Sequence, residues 1–349
     1  MRKLRVFESS LLAALALAGG LFPALARDFT VVASGGSFQA LQKKVFFEPF
    51  ARDENIKVVD DSWDNGIGIL RTKAAMPDGG WDVVQVEAEE QQIGCDEGLF
   101  LPLDQSRIGK PEDVVAGSSS RCGVGSIIYN YVLGYDAAAL KTPPRGWTSF
   151  FDLKQFPGKR ALRDGPKGNL EIALMADGVA PGDVYKLLAT DEGVERAFKK
   201  LDSIKPSLIF WKSGAQPIQL LSSGEVTMAS SYNGRVTNAI RDDHKNFGIV
   251  WNQSLQTVDS WVIMMNSPFA DTAYKFLAAF ERPDRQKLLP LGQPVGITSV
   301  AALKVLDPKI LSDLPTAPAN STDILHMDDK FWVDNIDALT ARWAAWSGQ

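Results

Sequence analysis

Apolar positions along this chain follow two rhythms. Short β-branched runs at 29–33 (FTVVA), 56–59 and 81–86 (WDVVQV) read as strands. Between them, 38–51 sets Phe38, Leu41, Val45 and Phe46 on one helical face. Residues 66–75 have helical spacing that Pro77-Asp78-Gly79-Gly80 stops, and 87–92 opens another helix. The alternation resumes after Pro157-Gly158. Strands are expected at 160–163, 208–211, 226–230 and 259–265, and helices at 170–175, 194–201, 216–222, 272–280 and 331–346. Tyr129 and Tyr131 lie in a further strand-like run. Strands spaced by helices predict α/β architecture, a mainly parallel sheet covered on both faces. No repeat and no long linker interrupts the pattern, so the chain is expected to cross between two lobes more than once, near Tyr135 and near 252–259.

The first residues follow a different pattern. Arg2, Lys3 and Arg5 precede an apolar run at 11–22, and Ala24-Leu25-Ala26 closes it with a small-x-small site. That order is a secretory signal peptide, expected to span 1–26 and leave Arg27 as the new terminus. The run is too short for a stable membrane span.

Export changes how the rest is read. The 349 residues carry 37 Lys+Arg and 42 Asp+Glu. Without the leader's three basic residues and one acid, 34 basic residues face 41 acidic ones, a formal charge of −7. A net acidic surface disfavours nucleic acid and suits a small cationic ligand. The two cysteines, Cys95 and Cys122, are expected to be bonded in an oxidising compartment.

Catalytic motifs are missing. No HExxH, GxSxG or Walker A sequence occurs, and the two histidines, His244 and His326, lie in polar stretches. Gly66-Ile67-Gly68 and Gly123-Val124-Gly125 lack the third glycine of a dinucleotide fingerprint. No carboxylate pair stands out as acid and base. No metal set and no cofactor motif is legible. An enzyme, such as a secreted hydrolase or lyase, is the minority reading.

Several segments in order point to a binding protein. They are Trp81-Asp82-Val83-Val84, then Gly98-Leu99-Phe100-Leu101-Pro102-Leu103-Asp104, then 147–153 (WTSFFDL) with Pro157-Gly158-Lys159 behind it. Gly224-Glu225-Val226, Asn233-Gly234 and Asp259-Ser260 follow. Behind a signal peptide, this series resembles the substrate-binding proteins of bacterial ABC importers, notably the spermidine/putrescine-binding group. The resemblance implies a type II two-lobe periplasmic-binding-protein fold. Each lobe is then a mainly parallel sheet flanked by helices, with chain crossovers at a hinge. Lobe limits of 27–135 plus 259–302, and 136–258 plus 303–349, are expected. A small-molecule ligand in the cleft, an ABC permease in the inner membrane and a monomeric periplasmic protein follow from the same resemblance.

The resemblance also implies site residues. Asp259 falls on a ligand-pairing aspartate and Asp164 lies near another. Tyr232 falls on a family tryptophan, and Glu87 and Glu89 occupy a loop that supplies ligand contacts. The residues themselves add more. Ser34, Gly35, Gly36, Ser37 and Phe38 link a strand to a helix, so their backbone N–H groups are placed to face a cleft. Trp211 is either a ligand wall or a strand-end core residue, and Ser213 follows it in a helix-capping loop. Departures matter as well. Thr257 and Gln293 stand where the family has aromatics, so this cleft is less aromatic than a polyamine site. Arg235, beside the Tyr232-Asn233-Gly234 turn, suits a ligand carboxylate or a structural ion pair. A polyamine is the leading ligand class. A zwitterionic, amino acid-like ligand is the rival, and an anion held by the glycine-rich loop and Gly165-Pro166-Lys167-Gly168 is the third option.

Overall fold

The computed structural model describes residues 27–348; the expected leader lies outside the described residues. Nine strands form one continuous sheet: β1 (Phe29–Ala33), β2 (Val58–Ser62), β3 (Val83–Val86), β4 (Gly123–Asp136), β5 (Arg160–Arg163), β6 (Leu208–Trp211), β7 (Met228–Tyr232), β8 (Phe247–Ile263) and β9 (Leu325–His326). Their order is β2-β1-β3-β8-β4-β7-β5-β6, with β9 added to β8. Strands β2, β1 and β3 are parallel at one end, and β7, β5 and β6 are parallel at the other. The long strands β4 and β8 run antiparallel through the middle and belong to both lobes. β3 pairs with the last residues of β8, whereas β7 pairs with the last residues of β4.

β4 and β8 are the crossovers. Their register shifts between Tyr131 and Leu133, where Gln253 takes a left-handed φ of 58°. Polar side chains occupy this junction, and two asparagines there are satisfied internally. Asn130 Nδ2 donates to Ser254 Oγ at 2.8 Å, and Asn233 Nδ2 donates to the Pro294 carbonyl at 2.7 Å. That explains why sequence showed, as a strand at 259–265, only the end of the 17-residue strand Phe247–Ile263. The polar 252–254 stretch interrupts the apolar rhythm, yet the Ser254 hydroxyl bonds to Asn130 of the partner strand and the Gln253 backbone to Trp147 and Asp323.

Other elements match the sequence reading with small shifts. Strands 160–163 and 208–211 and helix 216–222 stand as expected. The helix expected at 38–51 is three pieces, Gly36–Gln42 and Glu48–Glu54 flanking a wider π-helical turn at Lys43–Phe47. The wide turn shifts the inward face by a residue, which lets Val45, Phe46 and Phe47 all be buried. β2 is an edge strand whose Asp60 and Asp61 accept from Lys43 Nζ and Trp81 Nε1. Asp82, fully buried, accepts from the Thr30 N–H at 2.7 Å and both terminal nitrogens of Arg27, pinning the start of β1. In the second lobe the Asp329–Ser347 helix closes the sheet through indole donors: Trp332 to Glu171 and Trp343 to Asp164.

Cys95 and Cys122 are joined, with Cα atoms 5.7 Å apart. The bond ties the Ala88–Asp96 helix to the residue that precedes β4. Among the described residues no helix is long and apolar enough to cross a membrane.

Candidate functional site

Strand ends from both lobes converge on a cavity at the crossovers. It encloses about 680 Å³ of empty space, partly open to solvent, a size suited to a small molecule. β4 projects Ile127 and Tyr129 into it, one face of a strand with period two. Tyr129, Tyr131 and Tyr232 form a mutual cluster with ring centroids 5.0–5.9 Å apart. Trp63, which follows β2, supplies another aromatic wall.

Of the residues singled out in sequence, Ser34, Phe38, Glu87, Ser213, Tyr232, Arg235, Asp259 and Gln293 line this cavity. Ser37 lies one step back and accepts a hydrogen bond from Arg235 at 2.8 Å. Gly36 has a φ of +65°, and a Cβ there would stand 3.3 Å from both terminal nitrogens of Arg235. A side chain at that position would press the guanidinium out of place. Gly234 is similarly constrained, since a Cβ would meet Gln293 Cγ at 2.7 Å.

Three of the expected residues sit elsewhere. Trp211 is fully buried and backs Tyr232 edge-on at 5.5 Å, so it supports a wall without forming one. Asp164 accepts from Trp343 Nε1 at 2.9 Å and lines a neighbouring hollow. Glu89 lines that hollow too, and it pairs with Lys167.

Glu87 is engaged by protein cations. It caps the Ala88–Asp96 helix, and its carboxylate accepts from Asn65 Nδ2 at 2.8 Å, Lys167 Nζ at 2.7 Å and Arg163 at 2.8 Å. Burial would push its carboxyl up, but Arg163 and Lys167 outweigh that and hold it well below the usual carboxylate range. Lys167 is consequently committed to two carboxylates and is not available to an anion. Glu90, buried beside this cluster without a cation of its own, is pushed up to about 8 by burial and by Glu87 and Glu89.

Asp259 is the contrasting case. It is buried, and its Oδ2 accepts a 3.3 Å hydrogen bond from Gln85, which Gln42 holds in turn at 2.9 Å. Its Oδ1 makes no hydrogen bond. Burial, then the nearby Glu87, raises its carboxyl well above the usual value, and Lys167 and the Tyr129 hydroxyl offset part of this. Arg235 mirrors it with opposite charge. Among the described residues no carboxylate lies within ion-pair distance of its guanidinium, and burial lowers its pKa. A buried carboxyl and a half-buried guanidinium, neither with an ion-pair partner among the described residues, therefore line a single aromatic-walled cavity. An ammonium group would satisfy the first and a carboxylate the second.

Sequence reasoning missed Tyr129, Trp63, Asn65 and Arg163. Tyr129 was detectable from its alternation with Ile127 and Tyr131. Arg163 ends an expected strand, but its partner is 76 residues away and nothing local signals it.

Comparisons with known proteins agree with this geometry. The family model for bacterial extracellular solute-binding proteins matches residues 46–317. The chain is 40% identical over 326 residues to the gamma-aminobutyric acid-binding protein of Pseudomonas aeruginosa, covering 93% of this chain and 92% of the relative. It is 23% identical to the spermidine/putrescine-binding periplasmic protein of Escherichia coli, covering 84% of each. Among solved structures it is similar to the periplasmic binding protein MotA of A. tumefaciens B6 in complex with glucopine. There the TM-score is 0.87 at 29% identity, over 92% of this chain and 100% of that one.

Proposed function

This chain belongs to the bacterial extracellular solute-binding proteins, and on that premise we propose that it captures a small zwitterion of the γ-aminobutyrate class in the periplasm. Proteins of this family are binding components of ABC transporters and not enzymes. The observation that carries the ligand reading is the pair Arg235 and Asp259. Asp259, buried, and Arg235, half-buried, have no ion-pair partner among the described residues, while Glu87 and Arg163 satisfy each other. The Tyr129 and Tyr232 faces suit the methylenes and the cation between the two ends. The gamma-aminobutyric acid-binding relative supports the same class. A polyamine finds less here. It needs two or more free carboxylates, and Glu87 and Glu89 are already held by Lys167.

Binding proceeds by hinge closure. Ligand contacts reach both lobes, so ligand favours the closed form, which the permease receives. The lobe limits expected from sequence, 27–135 plus 259–302 and 136–258 plus 303–349, and a monomeric state are part of this proposal.

Calorimetry against γ-aminobutyrate, α-amino acids, putrescine, spermidine and acetate tests it. γ-Aminobutyrate should bind at least about 100-fold tighter than any polyamine, and Arg235→Ala should remove at least about 2 kcal/mol of that affinity. Tight polyamine binding that is indifferent to Arg235→Ala would overturn the proposal.

A further inference from the structure

Lys167 places a cation of the protein's own where a ligand cation would fit. It belongs to the loop after β5 in the second lobe, and its ammonium is buried between Glu87 and Glu89 of the first. Beyond Glu87 and Arg163 lies a second hollow of about 1190 Å³ of empty space, partly open to solvent. Asp64, Asn65, Glu87 and Arg163 line both this hollow and the main cavity, so the ion cluster is the partition between the two. Two carboxylates around one ammonium, next to a cavity holding the unpaired carboxylate of Asp259, make the pattern that an α,ω-diamine requires.

Resting on the reading of the main cavity as a zwitterion site, we propose that Lys167 determines specificity, its tethered ammonium filling the second cation position and shutting out diamines and polyamines. A tethered group competes at high effective concentration. With it in place, the main cavity is lined by three acidic residues (Asp64, Glu87, Asp259) and three basic ones (Arg163, Lys212, Arg235), a balance that suits a net-neutral ligand. A dication entering that cavity would bury a charge without a partner.

The test is calorimetry with γ-aminobutyrate and 1,4-diaminobutane on the wild type, Lys167→Met and Lys167→Arg. Diamine affinity should rise at least about tenfold in Lys167→Met and not at all in Lys167→Arg. Adding Glu89→Gln to Lys167→Met should remove most of that gain. γ-Aminobutyrate affinity should fall in Lys167→Met, because closure loses two interlobe ion pairs. If Lys167→Met does not fold, Lys167→Gln serves the same comparison. A folded variant without diamine gain, or a wild type that already binds diamine as tightly, overturns the proposal. A wild type that ignores γ-aminobutyrate while Lys167→Met still gains diamine binding sinks the zwitterion reading alone.

Discussion

At the scale of single residues, the cleft is a contrast between satisfied and unsatisfied charge. Glu87 has three donors, whereas Asp259 Oδ1 has none. Asp259→Asn should weaken γ-aminobutyrate binding by about 2 kcal/mol, roughly 30-fold, because the ammonium loses a charge-assisted partner. The ligand-free variant should melt no lower than the wild type, since burial disfavours the charged form of the native carboxyl and the amide carries no charge. The sign of the pH effect follows. A raised carboxyl pKa gives stability that is present below the ordinary value of 3.8 and lost as pH climbs toward the raised value. A bound ammonium lowers that pKa, so binding within this window should release up to about one proton. Calorimetry in buffers of different ionisation enthalpy reads it. Equal heats in all buffers for the wild type, or unchanged affinity in Asp259→Asn, would remove Asp259 from the site.

At the scale of elements, two joints carry separable predictions. The disulfide ties the Ala88–Asp96 helix to the start of β4, closing a sequence separation of 27 residues. Its loss should cost on the order of 3 kcal/mol, seen as a lower urea midpoint for Cys122→Ala; two alkylatable thiols in native exported protein would contradict the bond itself. In the second lobe, Glu171 on the Asn169–Ala176 helix accepts from Tyr185 Oη and Trp332 Nε1, both at 2.8 Å, and burial pushes its carboxyl up to about 7. Its folded pKa is raised, so wild-type stability should fall by about 3 kcal/mol between pH 4.5 and pH 7 on this account. Glu171→Gln should flatten that slope in urea titrations; an unchanged slope would mean Glu171 ionises freely. The sequence read these elements unevenly. Runs such as 160–163 and 208–211 were legible because turn residues flank them, Pro157-Gly158 and Gly165-Pro166 around the first, Pro206 and Ser213-Gly214 around the second. The crossover 247–258 was not, since Ser254 and Gln256 are paired by Asn130, more than 120 residues away. Asp259, Tyr232 and Arg235 were legible as single residues. Their unpaired state was not, because it depends on Arg163 and Lys167 occupying Glu87 instead.

At the scale of the whole molecule, side-chain contacts span the cleft, among them Lys167 with Glu87 and Glu89, Arg163 with Glu87, and Arg235 with Ser37. They define a closed form. Opening would leave Glu87, Glu89 and Glu90 crowded on one lobe and return Lys167 to water. Burying the pairs has its own desolvation cost, so the clasp biases the hinge and does not lock it. On the proposed reading, a zwitterion completes what the clasp begins, by joining Arg235 on one lobe to Asp259 at the crossover. Apparent affinity equals intrinsic affinity scaled by the fraction of closed molecules. Small-angle scattering should accordingly show a smaller radius of gyration with saturating γ-aminobutyrate. Lys167→Gln should start from a larger ligand-free radius and show a larger change. Its dissociation constant should rise by the same factor by which the closed fraction falls. A wild type and a Lys167→Gln variant with identical radii, each unmoved by ligand, would instead describe a rigid pocket in which the clasp plays no part in closure.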